Sequence, residues 1–513
     1  MQTLSRRRFS FLAGAGAVAV LTSRKALPAI TGQSAVIHLD AEVGLIRPEL
    51  HGQFAEHLGT CIYGGLWVGR NSSIPNVNGY RKQAIDYLRA ISIPVLRWPG
   101  GCFADDYHWR DGIGPAARRP KTVNIHWGNY TEDNSFGTHE FVGLCRAIGA
   151  EPYLAGNVGS GTPYELRSWV EYCNYSSGST LSDERAANGS PEPFAIRYWG
   201  VGNENWGCGG RMTPQEYAGH FRRYSTFIPN FNNPKPFLIA CGPSKNDAAW
   251  TNGFLDAVNK RYPDGFAMHF YSNARANATR FTAAEAEQQL SSFADLEKAI
   301  LDERAILDKY DPNRRVGLMV DEWGVWDRID PEEEKRNGRL WQQITMRSAV
   351  AAALGLNTFH RHADKLIMCN IAQIVNVLHS LLLTEDGHCV RTSTYYAYEM
   401  MKAHRATREV KMETAAKSPL DVSLSASRDG GKLVLTLVNP HTDSPARMTC
   451  TLAGGTARSA TARILHDADW NACNTFDQPD RLVPRAFQLT VQGEKLEAEL
   501  PPLSIVTAEV ALA

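Results

Sequence analysis

The sequence predicts an α/β protein: a (β/α)8 TIM barrel carrying a C-terminal antiparallel β-sandwich of jelly-roll type. Three observations predict it. From about residue 50 to 385, short apolar runs alternate with longer amphipathic ones, which is the pattern of βα units. Eight such runs occur, and no GxGxxG follows the first, which removes the usual dinucleotide-binding open sheet. After Thr394–Met401, a last helix-like segment, the apolar period falls to two. A chain of 513 residues also exceeds the roughly 250–300 residues that one core usually holds, so two modules are expected.

Taken in order, the chain opens on Ser5-Arg6-Arg7-Arg8-Phe9 and an apolar run from Phe11 to Leu21. That run is shorter than the ~20 residues a membrane-spanning helix needs. It resembles a twin-arginine export signal ending near Pro28-Ala29, so residues 1–30 read as a leader and the protein as exported, to the periplasm or beyond the cell. Residues 31–50 contain the alternating run Ser34–Leu39, read as a strand of the sandwich. Residues 51–389 are assigned to the barrel, with strands ending at Gln53-Phe54, Leu96-Arg97, Ala155-Gly156, Val201-Gly202, Ala240-Cys241, Met268-His269, Val320-Asp321 and Phe359-His360. Helices are expected over Arg81–Ala90, Thr138–Ala147, Pro163–Tyr175, Thr213–Phe231, Ala286–Tyr310 and Arg339–Leu354, several of them opened by Thr or Pro. Residues 390–513 are assigned to the sandwich, where Lys432–Val438 follows the turn Asp429-Gly430-Gly431 and Ser504–Val510 closes the chain.

Composition narrows the partners. Lysine plus arginine (54) equals aspartate plus glutamate (54), so nothing points to nucleic acid or to an anionic membrane once the leader is gone. The ten cysteines are scattered without a CxxC pair, against a zinc ribbon or a thioredoxin-type site. His360 and His362 lack Asp or His partners at matching spacing, and neither a metal nor a cofactor is assigned.

Reactive groups of a TIM barrel sit where strands end. Glu204, in WGVGNENWGCGG, follows the fourth strand, and Glu322, in LMVDEWGVW, follows the seventh. Two carboxylates converging on one cleft suit glycoside hydrolysis: one protonates the leaving oxygen and the other attacks the anomeric carbon. Spacing does not say which does which. Trp98 and Trp109 read as packing residues, and Asp330–Lys335 as an exposed helix start.

More specific pieces occur in order: Gly52–Gly59 (GQFAEHLG), Ile62–Gly65, Leu96–Gly101 (LRWPGG), Tyr107–Pro115, Gly202–Gly210, Asp321–Trp326 and Asn370–Val377. Together they resemble glycoside hydrolase family 51, the α-L-arabinofuranosidases, across the barrel, and that family also carries a C-terminal β module. The resemblance implies a retaining, exo-acting hydrolase of terminal arabinofuranosyl residues, with Glu204 as acid/base and Glu322 as nucleophile. It further implies that Asn203 holds the 2-hydroxyl, that Arg97 keeps Glu322 ionised, and that Glu56, Tyr271 and Gln373 bind hydroxyls or orient the nucleophile. Trp206 and Trp326 would form an aromatic wall, while His269 either contacts the nucleophile or is a satisfied polar residue. Cys102 stands where many relatives have Asn, as a weaker hydrogen-bond partner. The implied partner is an arabinofuranosyl saccharide, and the implied assembly a homo-oligomer, the family tending to hexamers. Two other readings stand beside this one: the same machinery acting on a β-xyloside or β-glucan, and a sugar-binding protein whose chemistry has lapsed.

Overall fold

The computed structural model describes residues 31–513. The arginine-led segment read as an export leader lies outside them. Eight parallel strands close into a barrel: Gly52–Phe54, Val95–Trp98, Glu151–Gly156, Tyr198–Val201, Phe237–Ser244, Gly265–Asn277, Gly317–Arg328 and Leu366–Ala372. Local sequence starts and stops the helices between them. Thr162 and Thr213 cap Pro163–Asn174 and Pro214–Phe227, each with its side chain accepting from the backbone N–H three residues on. Gly149 ends Thr138–Ile148 in the left-handed conformation, at φ 80°.

One sequence expectation fails here. Phe359 and His360 belong to the helix Met346–Arg361, and the eighth strand is Leu366–Ala372. His360 and His362, to which no metal is assigned, are not alternate residues of a strand: His360 Nε2 lies 2.9 Å from His51 Nε2, and His362 Nε2 lies 2.8 Å from Glu297 Oε1. Likewise, the stretch Ala286–Tyr310 spans two helices, Ala283–Ser291 and Phe293–Tyr310.

Ten strands make one continuous second sheet. Thr31–Leu45 lies inside it, antiparallel to Arg408–Thr414 and parallel to Ala446–Ala453. Its apolar side chains, among them Ile37, Leu424, Leu435, Cys450, Leu496 and Val506, form a core of their own. The helix Ser393–Met401 buries Tyr395, Tyr398 and Met401 in the barrel's cluster instead, so barrel packing continues past residue 389.

The barrel interior is layered. Val95, Tyr153, Tyr198, Ile239, Ala267, Met319 and Met368, one from each of seven strands, form an apolar floor. Side chains alternate along a strand, so two residues further on the inward positions carry Arg97, His269, Asp321 and Asn370, all buried. An apolar floor thus supports a polar layer, and the site stands on that layer.

Candidate active site

Glu322 points inward although Asp321 beside it also does. The sixth and seventh strands explain this: Met268 pairs with Val320 and the next residue, His269, pairs with Glu322, leaving Asp321 as an extra residue. Such a bulge re-aims side chains, and here it brings two consecutive carboxylates to the interior. Asp321 is held by Arg97 Nε at 3.2 Å, by the Tyr153 hydroxyl at 2.8 Å and by Asn370 Nδ2 at 2.8 Å. Glu322 accepts from Arg97 Nη1 at 2.7 Å on one oxygen and from the Tyr271 hydroxyl at 2.8 Å on the other. Burial alone would raise the Glu322 carboxyl; the charges of His269 and Arg97, with hydrogen bonds from Arg97 and Tyr271, outweigh it and hold the group below its ordinary value.

Glu204 stands at the opposite wall, in a turn whose backbone is unusual. Gly202 has φ 86° and Glu204 itself φ 42°, a left-handed conformation that persists only where surroundings hold it. The holding groups are visible. The Glu204 carbonyl accepts from Gly207 N at 2.7 Å and Gly209 N at 3.1 Å, and Asn203 N donates to Asp105 Oδ2 at 2.7 Å. Gly209 is required, since a Cβ there would overlap the Asn203 carbonyl and the Asp105 carboxylate. Glu204 Oε1 lies 2.9 Å from His269 Nδ1, and the same nitrogen is 3.6 Å from Glu322 Oε2. One oxygen of each glutamate and a His269 nitrogen all lie within 4.8 Å of one another. Facing two carboxylates, His269 is raised above its ordinary value although burial opposes this.

The remaining expected positions line the same cleft. Glu56 accepts from Phe103 N at 3.0 Å, Trp127 Nε1 at 2.9 Å and Gln373 Nε2 at 3.1 Å. Burial, then the nearby Glu322 charge, pushes its carboxyl up to about 8. Asn203 Oδ1 accepts from Arg97 Nη2, while its buried Nδ2 has no protein partner; buried Gln373 Oε1 has none either. Unmet buried polar atoms are costly unless a ligand meets them. Tyr271 packs edge-on against Trp326 at 5.3 Å, and the Trp206 indole donates to the Gly242 carbonyl at 3.1 Å. Trp98 and Trp109 are fully buried among aromatic rings.

Cys102 differs from its expectation: it is disulfide-bonded to Cys208, with Cα atoms 5.4 Å apart. It therefore has no S–H to offer a sugar. Asp105, Trp127 and Cys208 were not legible as site residues, because their partners lie 53 to 106 residues away and no local motif marks them. Asp321 could have been noticed from its place beside Glu322.

Residues 87–289 match the family described as "Alpha-L-arabinofuranosidase 1 domain" and residues 321–504 match "Alpha-L-arabinofuranosidase C-terminal domain". A Bacteroides ovatus protein named "Intracellular exo-alpha-L-arabinofuranosidase" is 41% identical, over 96% of this chain and 98% of its own. The crystal structure of a family 51 arabinofuranosidase from Xanthomonas axonopodis pv. citri superposes with a TM-score of 0.90 at 39% identity, covering 93% of this chain and 99% of that one. An arabinose complex of the Thermotoga maritima α-L-arabinofuranosidase gives 0.84 at 30% identity, covering 93% and 100%. The Bacteroides name corrects the expectation of export: a relative alike over nearly its whole length is called intracellular, and an arginine pair before a short apolar run is also what an uncleaved basic tail presents. With seven ordered motifs, both domains and these relatives in agreement, the chain belongs to the α-L-arabinofuranosidases of glycoside hydrolase family 51.

Proposed function

We propose that the chain removes terminal non-reducing α-L-arabinofuranosyl residues with retention of configuration, with Glu322 as nucleophile and Glu204 as acid/base. The observation that carries this is the pair of facing carboxylates in unlike surroundings. Glu322 is fixed by Arg97 and Tyr271 on both oxygens and held anionic; Glu204 is held on one oxygen by His269 and leaves the other free. Their oxygens lie within 4.8 Å, in keeping with the ~5–5.5 Å separation of retaining rather than inverting pairs.

In the first step a Glu322 oxygen forms a bond to the anomeric carbon as the bond to the leaving oxygen breaks, and that oxygen takes the Glu204 proton. In the second, Glu204 takes a proton from water, the water oxygen attacks the anomeric carbon, and the Glu322 carboxylate departs. Two inversions leave the configuration unchanged, and one water is consumed. Asn203 Nδ2 and Gln373 Oε1, the unpartnered buried atoms, are assigned to sugar hydroxyls together with Glu56. Trp206 and Trp326 are assigned to the aromatic wall on the leaving-group side. On the family's habit, the enzyme acts as a homo-oligomer, which sedimentation velocity tests.

The experiment compares 4-nitrophenyl α-L-arabinofuranoside with the β-D-xyloside and β-D-glucoside, using the wild type and the Glu204→Ala and Glu322→Ala variants. Cleavage of the arabinofuranoside alone, abolished in Glu322→Ala, is expected. In kcat/KM, which reports the first step, Glu204→Ala should lose ~10²–10⁴-fold on an alkyl leaving group but far less on nitrophenolate. Equal losses in kcat/KM on both, or an active Glu322→Ala, would overturn the assignment.

A further inference from the structure

The disulfide between Cys102 and Cys208 ties the loop after the second barrel strand to the turn that carries Glu204, and it touches the glutamate itself. Cys208 Sγ stands 3.5 Å from Glu204 Oε2. A disulfide sulfur has no proton to donate, so this oxygen is left without a donor from it, while Oε1 faces His269. The two sulfurs and a Glu204 oxygen all lie within 4.8 Å of one another. With Zn–S at ~2.3 Å, Zn–O at ~2.1 Å and a tetrahedral angle, a sulfur and an oxygen on one zinc are ~3.6 Å apart and two sulfurs ~3.8 Å. The separation of Cys208 Sγ from the carboxylate is already that of two ligands on one ion. Only the sulfurs need to part, which reduction permits.

We propose that the reduced Cys102–Cys208 pair and Glu204 Oε2 form a binding site for a thiophilic divalent cation such as zinc, which silences the enzyme by occupying its acid/base; the silencing, but not the binding, rests on the role assigned to Glu204. A low-molecular-weight dithiol supplies the two electrons. Its thiolate attacks one sulfur and the other leaves as thiolate; the second thiol resolves the mixed disulfide, so two cysteine thiols form and the dithiol is oxidised. Zinc then displaces the two thiol protons and binds both thiolates and the carboxylate, with water at the fourth position. His269 on Oε1 is the outer partner that orients a ligating carboxylate. The oxidised enzyme offers no thiolate and is insensitive to the metal.

The test uses the full chain, oxidised or reduced with a phosphine that is then removed, and titrated with zinc chloride. Bound zinc is read by mass spectrometry of the native protein, and activity on an arabinoside with a poor leaving group. The expected result is one equivalent of zinc on the reduced chain only, with activity down ~10²-fold or more, the range a general acid supplies. A chelator restores the activity. The doubly substituted Cys102→Ser, Cys208→Ser chain binds none in either state, whereas Cys473→Ser, which alters the half-buried free cysteine, still binds. If the reduced wild type takes up no zinc, the proposal is wrong. It is equally wrong if the oxidised or doubly substituted chain binds as well, since the ion then needs neither thiolate. Redox-dependent binding by a chain that cleaves no arabinoside would leave the metal site standing and overturn the hydrolase reading instead.

Discussion

Replacing Asp105 by Asn should disable the acid/base without touching it. The Asp105 carboxylate accepts on both oxygens: Oδ1 takes Val158 N at 2.7 Å and Gly159 N at 2.9 Å, and Oδ2 takes Asn203 N at 2.7 Å and Asn205 Nδ2 at 3.3 Å. An amide accepts on one side only. One orientation orphans two backbone N–H groups. The other orphans one, at Asn203, plus an amide that still donates to the Gly209 carbonyl at 2.7 Å. A buried unpaired donor costs about 1–3 kcal/mol, so the second orientation wins and the loss falls on the Asn203–Glu204 turn. That turn already holds Glu204 at positive φ, and a shift of ~1 Å in a reacting group costs about 10²-fold. Burial, against hydrogen bonds from Val158, Asn203 and Gly159, pushes the Asp105 carboxyl up to about 7 from its ordinary 3.8, so the assay belongs at pH 8, where the wild type is ionised. Because the folded value is the higher one, stability from this group falls as pH rises from about 4 to 7 and Asp105→Asn removes that slope. The expected kcat/KM is ~10²-fold lower on an alkyl arabinofuranoside and closer to wild type on the nitrophenyl one. A folded variant with kcat/KM within about twofold on both would refute the reasoning.

Three further outcomes follow from the same geometry. The nucleophile must be ionised and its carboxyl lies below the ordinary 4.5, so the acid limb of kcat/KM should fall below pH 4.5; Tyr271→Phe removes a hydrogen bond to the charge, worth about 1.5–3 kcal/mol, and should lower kcat/KM tenfold or more while moving that limb upward. Arg97→Met leaves Asp321 and Glu322 buried without their guanidinium, a loss of about 3–5 kcal/mol that thermal unfolding will register along with loss of turnover. Gly101→Ala places a Cβ against both Glu56 carboxyl oxygens, which are buried and held by three donors, and should raise KM and lower Tm together; an unchanged KM would remove Glu56 from the sugar contacts.

Strand ends at Phe54, Gly156 and Val201, and within one residue at Trp98, were legible because each buried strand is a short apolar run stopped by polar or glycine-rich turns. The eighth strand was not, and the cause is physical. The helix Met346–Arg361 is wedged between barrel and sandwich, and every residue from Met346 to His360 is buried. It has no solvent-exposed face, so the amphipathic period of a surface helix is missing and its end reads like a strand. Glu204 and Glu322 stood out because glycine and tryptophan flank them after short apolar runs, although Glu322 lies within the strand Gly317–Arg328 and not after it; the supports of the Glu204 turn did not stand out. Asp105 reaches Asn203 across 98 residues and Cys102 reaches Cys208 across 106, contacts that only the closed barrel brings together. The bulge at Asp321 was equally silent, since nothing in Val320-Asp321-Glu322 shows that both carboxylates turn inward.

The central claim is a covalent intermediate on Glu322. Glu204→Ala, given an activated aryl α-L-arabinofuranoside, needs no acid for the first step and lacks the base for the second, so the arabinosyl-enzyme should accumulate. Intact-mass spectrometry followed by peptide mapping should find one arabinosyl residue on the peptide carrying Glu322, and proton NMR of the wild-type reaction should show the α-anomer of arabinose formed first. An adduct on another residue, or initial release of the β-anomer with no adduct, would contradict the account.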